Sequence, residues 1–455
     1  MKRLQLMLSA CMLSLCAMVA AFSPALAAEE AATPTEQATR LLDHLDAGDY
    51  AAAEAMFSAE MASAVPADKL QAVWQSLPTQ AGAAQGRGTP VVQSQAGTTL
   101  VEVPLHHVNA ALIARVAINE GGEVVGFLIQ PAPPAAAAAP PDNASYMEND
   151  FLVGEGARAL PGTLALPKAD APTAGRPAVV LVHGSGPHDR DQTIGPNRPF
   201  LDLARGLATR DIAVLRYDKR TRARPQDYAD GPLSIDSETT DDAVAAVAAL
   251  RSTPGIDPDR VFVLGHSQGA MMAPRIAARA NAAGAPLAGL ILLAAPARPL
   301  LDILIEQNRR MAVLDDGRTS PREAAAIDQL RAQVRAVRAG GSAGAEDLPA
   351  AQLPMGLPAA YWRSIDAVDP VAEAQAVALP MLLLQGARDI QVVDADWQAW
   401  RGGFHDDPKV TFKLYDALSH LGIAGEGPGS LADYTTPGQV DGTLIDDIAA
   451  WIRQH

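Results

Sequence analysis

Cysteine is almost missing from this chain. Among 455 residues the two cysteines are Cys11 and Cys16, and both fall in an N-terminal stretch with the character of a leader. The chain beyond residue 27 has no disulfide to form and must be held by its core alone. Basic residues are also short: 36 Lys and Arg face 52 Asp and Glu, a formal charge of −16. That balance keeps a protein soluble and excludes nucleic acid and anionic membranes as favoured partners. Beyond the leader no segment is long and apolar enough to span a bilayer. Aromatics are only 4% of the residues, yet 48% are hydrophobic. This is the composition of a globular protein, not of a disordered or fibrous one.

The first residues are expected to lie outside the fold. Lys2 and Arg3 make a basic start, Leu4 to Phe22 is mostly apolar, and Ala25-Leu26-Ala27 has the A-x-A form of a cleavage site. Residues 1–27 therefore read as a secretory signal peptide, and the protein is expected to be exported, periplasmic or secreted. Its removal takes two positive charges and no negative ones, leaving −18. Leu8-Ser9-Ala10-Cys11 resembles a lipoprotein site, but the apolar run continues past Cys11, which disfavours lipidation.

Two units make up the rest of the chain. From 35 to 130, apolar residues at helical spacing over Gln37–Ala53 and Met56–Leu77 give way to strand-like runs at Val91-Val92, Leu100–Leu105, Ala111–Ile118 and Val124–Ile129. Helices followed by a strand meander predict a small α+β domain. A proline-alanine linker, "PAPPAAAAAPP", occupies the start of 131–145. From 146 to 455 short apolar runs alternate with helical segments, which predicts a mostly parallel sheet covered on both faces, an α/β fold. Phe151–Pro167, around a turn at Pro161-Gly162, is expected to add an antiparallel hairpin. A helix over Ser237–Arg251 is expected to be capped by Ser237 or Asp236. The stretch 299–375 is too long for an ordinary crossover and rich in helix formers, so it reads as a helical cap over the strand ends.

The chemistry centres on "VFVLGHSQGA". Four apolar residues from Val261 run into Gly265-His266-Ser267-Gln268-Gly269. A strand, a sharp turn and a helix would expose Ser267 at the carboxyl edge of the sheet, where ligand crevices form. This is the G-x-S-x-G nucleophile elbow, in which the acid and then the histidine follow the serine along the chain. Of the nine histidines, only His405, His420 and His455 leave room for an acid between. His455 ends the chain and His405 precedes a strand, at the wrong edge. His420, in "LYDALSHLGI", follows that strand and is assigned as general base. "MLLLQGARDIQV" supplies Asp389 as the acid that holds the histidine tautomer, with Asp394 and Asp416 as fallbacks. The oxyanion donors are expected to be the backbone N–H groups of Gln268 and Ser185, with Gly186 as the alternative to Ser185. His188, Asp189 and Asp191 could suggest a metal, but no other cluster converges with them in sequence; no metal and no cofactor are expected.

The second unit resembles the α/β-hydrolase superfamily. The stretch "HGSGPHDRDQTIGPNRPFLDLARGLATRDIAVLRYDKRT", with "GHSQGA", "GARDIQV" and "SHL", resembles the EstD-like bacterial serine carboxylesterases. The first unit is similar to a small cystatin-like or nuclear-transport-factor-like domain. This resemblance implies hydrolysis of short-chain carboxylic esters through an acyl-enzyme, with a small-molecule ester as substrate. Two other readings use the same residues: an amidase or aminopeptidase-like serine hydrolase, and a binding protein with a vestigial hydrolase domain. The sequence leaves the oligomeric state and the role of the first domain open.

Overall fold

A computed structural model describes residues 32–95, 98–108, 111–132, 141, 143–228, 233–314, 317–340 and 349–455. Residues 1–31, where the signal peptide is expected, and most of the proline-alanine stretch lie outside the described residues. The chain divides into two compact units, Met1–Ala132 and Pro133–His455.

In the first unit, helices Pro34–Asp46, Tyr50–Glu54, Ala59–Ala64 and Ala67–Ala81 precede an antiparallel sheet. Thr98–His107, Ala111–Asn119 and Val124–Pro131 form a meander, while Ala84–Arg87 and Val91–Gln95 both pair with Thr98–His107. Val101, Val103 and Leu105 alternate with more exposed neighbours. They pack with Leu41, Leu42 and Leu45 of the first helix, so one sheet face is the core. The helical run expected over Gln37–Ala53 is broken. Gly48 takes φ 75° and the Asp49 side chain caps the next helix at Ala52 N–H, 3.1 Å away.

The second unit carries an eight-stranded sheet among the described residues. Its strands are β1 (Tyr146–Val153), β2 (Leu160–Pro167), β3 (Arg176–Val182), β4 (Ala213–Tyr217), β5 (Ile256–His266), β6 (Gly289–Leu293), β7 (Met381–Gly386) and β8 (Val410–Tyr415). Their order is β1-β2-β4-β3-β5-β6-β7-β8. The β1–β2 and β2–β4 pairs are antiparallel; the rest are parallel. Both faces are buried. Along β3, Ala178, Val180 and Val182 belong to one core and Val179 and Leu181 to the other, as the two-residue period of a strand requires.

Helices α1 (Pro199–Ala208) and α9 (Gly442–Gln454) cover one face through Phe200, Leu203, Leu207, Leu444, Ile448 and Ile452. Helices α2 (Asp241–Arg251), α3 (Gln268–Ala282) and α8 (Asp394–Gly403) cover the other through Val247, Leu250, Met271, Ile276 and Trp400. Between β6 and β7 the chain forms α4 (Leu300–Leu314), α5 (Pro321–Ala339), α6 (Ala359–Asp366) and α7 (Pro370–Val377). Ser320 and Glu323 make a reciprocal capping box at α5, with Pro321 in its first turn.

Two local expectations fail for identifiable reasons. Pro161-Gly162 is not a turn: it lies inside β2, paired with Leu152 and Phe151. A Cβ at Gly162 would sit 2.9 Å from the Arg216 carbonyl oxygen, so the glycine serves close strand approach. The helical start near Ser237 is capped by Ser234 instead. The Ser234 hydroxyl accepts from Ser237 N–H at 3.2 Å, and the Ser237 hydroxyl accepts from Ser234 N–H at 3.0 Å. The next turn, Asp236–Thr240, is wound as a π-helix before α2 begins.

Candidate active site

Parallel strands deliver their following loops to one edge of the sheet. The loops after β3, β4, β5, β7 and β8 therefore meet there. Ser267 stands between β5 and α3 with φ 54° and ψ −120°, a backbone conformation that a side-chain-bearing residue adopts at a cost. The strain sits on the serine and not on its neighbours. Gly265 and Gly269 serve close approach: a Cβ on Gly265 would lie 2.5 Å from Ala270 N, and one on Gly269 2.6 Å from His183 O. Ser267 N–H donates to Leu293 O of β6 at 2.9 Å, which fixes the turn to its neighbouring strand.

His420 and Asp389 come together although they are distant in sequence. His420 Nδ1 lies 2.7 Å from Asp389 Oδ2, and both residues are buried. The carboxylate is itself held. Its Oδ1 accepts from the backbone N–H groups of Gln391 at 2.8 Å and Val392 at 3.0 Å. Its Oδ2 also accepts from Gln385 Nε2 at 3.3 Å. With Nδ1 donating to the carboxylate, His420 keeps Nε2 as an acceptor. The fallback acids go elsewhere: Asp394 and Asp416 are exposed, and Asp394 accepts from Gln398 in the first turn of α8. His405 is exposed beside Asp406.

The loop after β3 is braced by groups that the sequence pattern does not single out. Gly184 N–H donates to Gln192 Oε1 at 2.9 Å. Gln192 Nε2 donates to His266 Nδ1 at 2.7 Å, and His266 Nε2 donates to His420 O at 2.8 Å. Lys219 Nζ donates to Gly184 O at 2.9 Å and pairs with Glu238 Oε1 at 2.8 Å. Glu238 Oε2 accepts from Tyr361 Oη at 2.8 Å and from Gln268 Nε2 at 3.1 Å. His188 Nε2 donates to Ser185 O at 2.7 Å. Burial holds His183 and His266 well below the usual imidazole range, and with the nearby Lys219 charge it lowers His188 to about 4. All three are neutral near pH 7. Gln192 stands inside the long loop motif and Lys219 directly behind the β4 run, the only signals that could have marked them.

Ser185, Gly186, His188, Ser267 and His420 line one cavity of about 590 Å³. Leu300, Leu304, Leu357 and Trp362 form an apolar wall, and Gln307, Gln391 and Tyr434 contribute polar groups. Gln268 opens α3, so its backbone N–H has no partner within the helix. Ser185 is exposed on the rim. Asp189 and Asp191 are engaged structurally: Asp189 caps Thr193 N–H at 2.9 Å, and Asp191 accepts from Arg216 Nε at 2.8 Å. Among the described residues no group of three or more His, Cys, Asp or Glu is placed to hold a metal ion. A strained serine, a buried histidine–carboxylate pair and a shared cavity form the constellation used for nucleophilic attack on a carbonyl.

The family profile and a sequence relative agree with this architecture. The sequence profile of the Alpha/beta hydrolase family matches residues 179–440. A second profile, described as a protein of unknown function (DUF3887), matches residues 38–127. Esterase EstD of Thermotoga maritima is 32% identical over 419 residues, which span 92% of this chain and 95% of that protein. Among solved structures, an esterase of Pyrococcus furiosus aligns at 15% identity with a TM-score of 0.43, covering 71% of this chain and 96% of the other. A puromycin-hydrolyzing peptidase of Mycobacterium tuberculosis aligns at 18% identity with a TM-score of 0.42, covering 80% and 47%. The profile match joins the eight-stranded sheet and the elbow at Ser267 in one conclusion: the chain belongs to the α/β-hydrolase family.

Proposed function

We propose that this protein is a serine carboxylesterase that hydrolyses short-chain esters through an acyl-enzyme. The observation that carries the reading is the buried His420–Asp389 pair, 2.7 Å apart, with His420 and Ser267 lining the same cavity. The 32% identity to an esterase over most of the chain supports the choice of ester. Ser267 Oγ attacks the ester carbonyl while His420 Nε2 takes its proton. Asp389 stabilises the imidazolium and keeps the tautomer that leaves Nε2 open. The Gln268 and Ser185 N–H groups receive the oxyanion. His420 then gives the proton to the departing alcohol, and the carbonyl–oxygen bond breaks. A water, deprotonated by His420, releases the acid and restores Ser267.

The apolar wall contributed by Leu300, Leu304, Leu357 and Trp362 suits an acyl chain. The test is turnover of p-nitrophenyl acetate, butyrate and octanoate beside aminoacyl p-nitroanilides, with Ser267→Ala as control. Ester turnover that vanishes in Ser267→Ala supports the reading; anilide turnover alone moves it to an amidase. We also propose export, with cleavage after Ala27. N-terminal sequencing of the protein recovered from the periplasm or medium checks this; a protein retained in the cytoplasm with residues 1–27 intact refutes it.

A further inference from the structure

Lys219 and Glu238 are 2% and 5% exposed. A buried ion pair is costly to desolvate and is weak evidence for stability. Its contacts suggest another use. Beyond Glu238, the Lys219 ammonium donates to the Gly184 carbonyl. That carbonyl belongs to the same peptide unit as the Ser185 N–H. In a trans peptide the two groups point in opposite directions. Binding the oxygen therefore turns the Ser185 N–H away from the ammonium. This peptide is beside the nucleophile: a Cβ on Gly184 would stand 3.4 Å from Ser267 Cβ. Gly184 has no side chain to orient it, so orientation must come from its backbone partners, Lys219 on the oxygen and Gln192 on the N–H.

Glu238 reaches the other oxyanion donor as well. Its Oε2 accepts from the side chain of Gln268, whose backbone N–H heads α3, and from Tyr361 Oη of α6. One carboxylate thus ties together the residues of both donors and the segment between β6 and β7. Glu238 is carried by the π-wound turn Asp236–Thr240, a local irregularity that often marks a functional position. An ammonium on the carbonyl also polarises the amide, making the Ser185 N–H a stronger donor to a developing negative charge.

We propose that the Lys219–Glu238 pair is a positioning device for the oxyanion hole, orienting and polarising the Gly184–Ser185 peptide while holding Gln268 in place. The inference rests on the serine-esterase reading. Two variants test it. Lys219→Met combined with Glu238→Gln removes both charges and leaves neither buried alone. Glu238→Gln alone keeps the bulk but has one acceptor oxygen, so it accepts from Lys219 or from Tyr361 and Gln268 but not from both sides, and it leaves the Lys219 ammonium without its counter-charge. For the double variant, kcat on p-nitrophenyl butyrate is expected to fall about 100-fold, with KM within about threefold. Affinity for a trifluoromethyl ketone, which forms an anionic tetrahedral adduct, falls in parallel. Glu238→Gln alone is expected to lose about tenfold, in line with a partly retained network. A purely structural plug would lower the melting temperature while kcat and ketone affinity stayed at wild-type values. That result, in either variant, overturns the proposal while leaving Ser267-dependent turnover intact. Wild-type protein that hydrolyses neither ester nor anilide, or hydrolyses them equally as Ser267→Ala, overturns both readings at once, since no serine oxyanion would then form.

Discussion

Replacing Asp389 by asparagine changes one atom and tests the site at its buried end. The carboxylate has two faces. Oδ1 accepts two backbone N–H groups, from Gln391 and Val392, while Oδ2 accepts His420 Nδ1–H and Gln385 Nε2. Asparagine has one acceptor oxygen. If that oxygen stays on the backbone N–H pair, the amide NH2 faces His420 Nδ1. The imidazole must then carry its proton on Nε2, the tautomer that cannot deprotonate Ser267. If the amide flips, two backbone N–H groups lose their acceptor, each at about 1–3 kcal/mol when buried. On the proposed mechanism, either arrangement disables His420 as base or populates the active form rarely. The expected loss in kcat is about 10³- to 10⁴-fold, or about 4–5.5 kcal/mol in the barrier. KM should hardly move, because the side chain is buried behind His420. Steady-state hydrolysis of p-nitrophenyl butyrate reads both constants, and Asp394→Asn and Asp416→Asn serve as controls with wild-type rates. An Asp389→Asn enzyme within tenfold of wild type would refute the tautomer reasoning.

Two further outcomes are expected. Gln192→Leu keeps the bulk but leaves Gly184 N–H and His266 Nδ1 unpaired; it should cost about 2–4 kcal/mol in urea unfolding and lower kcat, and unchanged stability would contradict the bracing role. Acid should also destabilise the fold: folded His183, His188 and His266 have lowered pKa values. The unfolded chain therefore binds more protons below about pH 6.5. Stability is full above that pH and declines as pH falls toward the folded value of about 4 for His188; thermal melts from pH 8 to pH 4.5 read the slope, and a flat profile would refute it.

Much of the candidate site's edge of the sheet is legible in the sequence because of how parallel sheets are buried. "AVVLV", "VFVL", "LILL" and "MLLL" are continuous apolar runs, as strands covered on both faces must be. Once the strands are located, the residues just after them are known to share one edge, and Ser267, Asp389 and His420 are among them. What escapes is whatever depends on contact between loops. Gln192 and His266 are 74 positions apart and Gln268 and Glu238 are 30 apart; no periodicity encodes their meeting. Gly162 misleads for a related reason. Proline-glycine has the composition of a turn, yet the glycine is required by the Arg216 backbone across the strand pair. Ser234 and Ser237 offer the same hydroxyl chemistry, and only the folded backbone decides which one starts the helix.

The hydrogen-bond chain through His266 has one workable direction, and this explains why that histidine must be neutral. Gly184 N–H can only donate, so Gln192 must meet it with Oε1. The amide of Gln192 then presents Nε2–H to His266, which must accept on Nδ1. The remaining proton of the ring sits on Nε2 and goes to His420 O, whose carbonyl can only accept. Protonating His266 would set an N–H against the Gln192 NH2, and flipping the amide would set that NH2 against Gly184 N–H. Each alternative buries opposed donors at a cost of about 1–3 kcal/mol. Burial disfavours the charged ring independently. The loop that carries Ser185, the residue before Ser267 and the backbone of His420 are thereby fixed by one series of donors and acceptors. A site of this kind is preorganised by a polar core with no slack. Loss of any member should be felt at Ser185 and at His420 together, whichever end is cut.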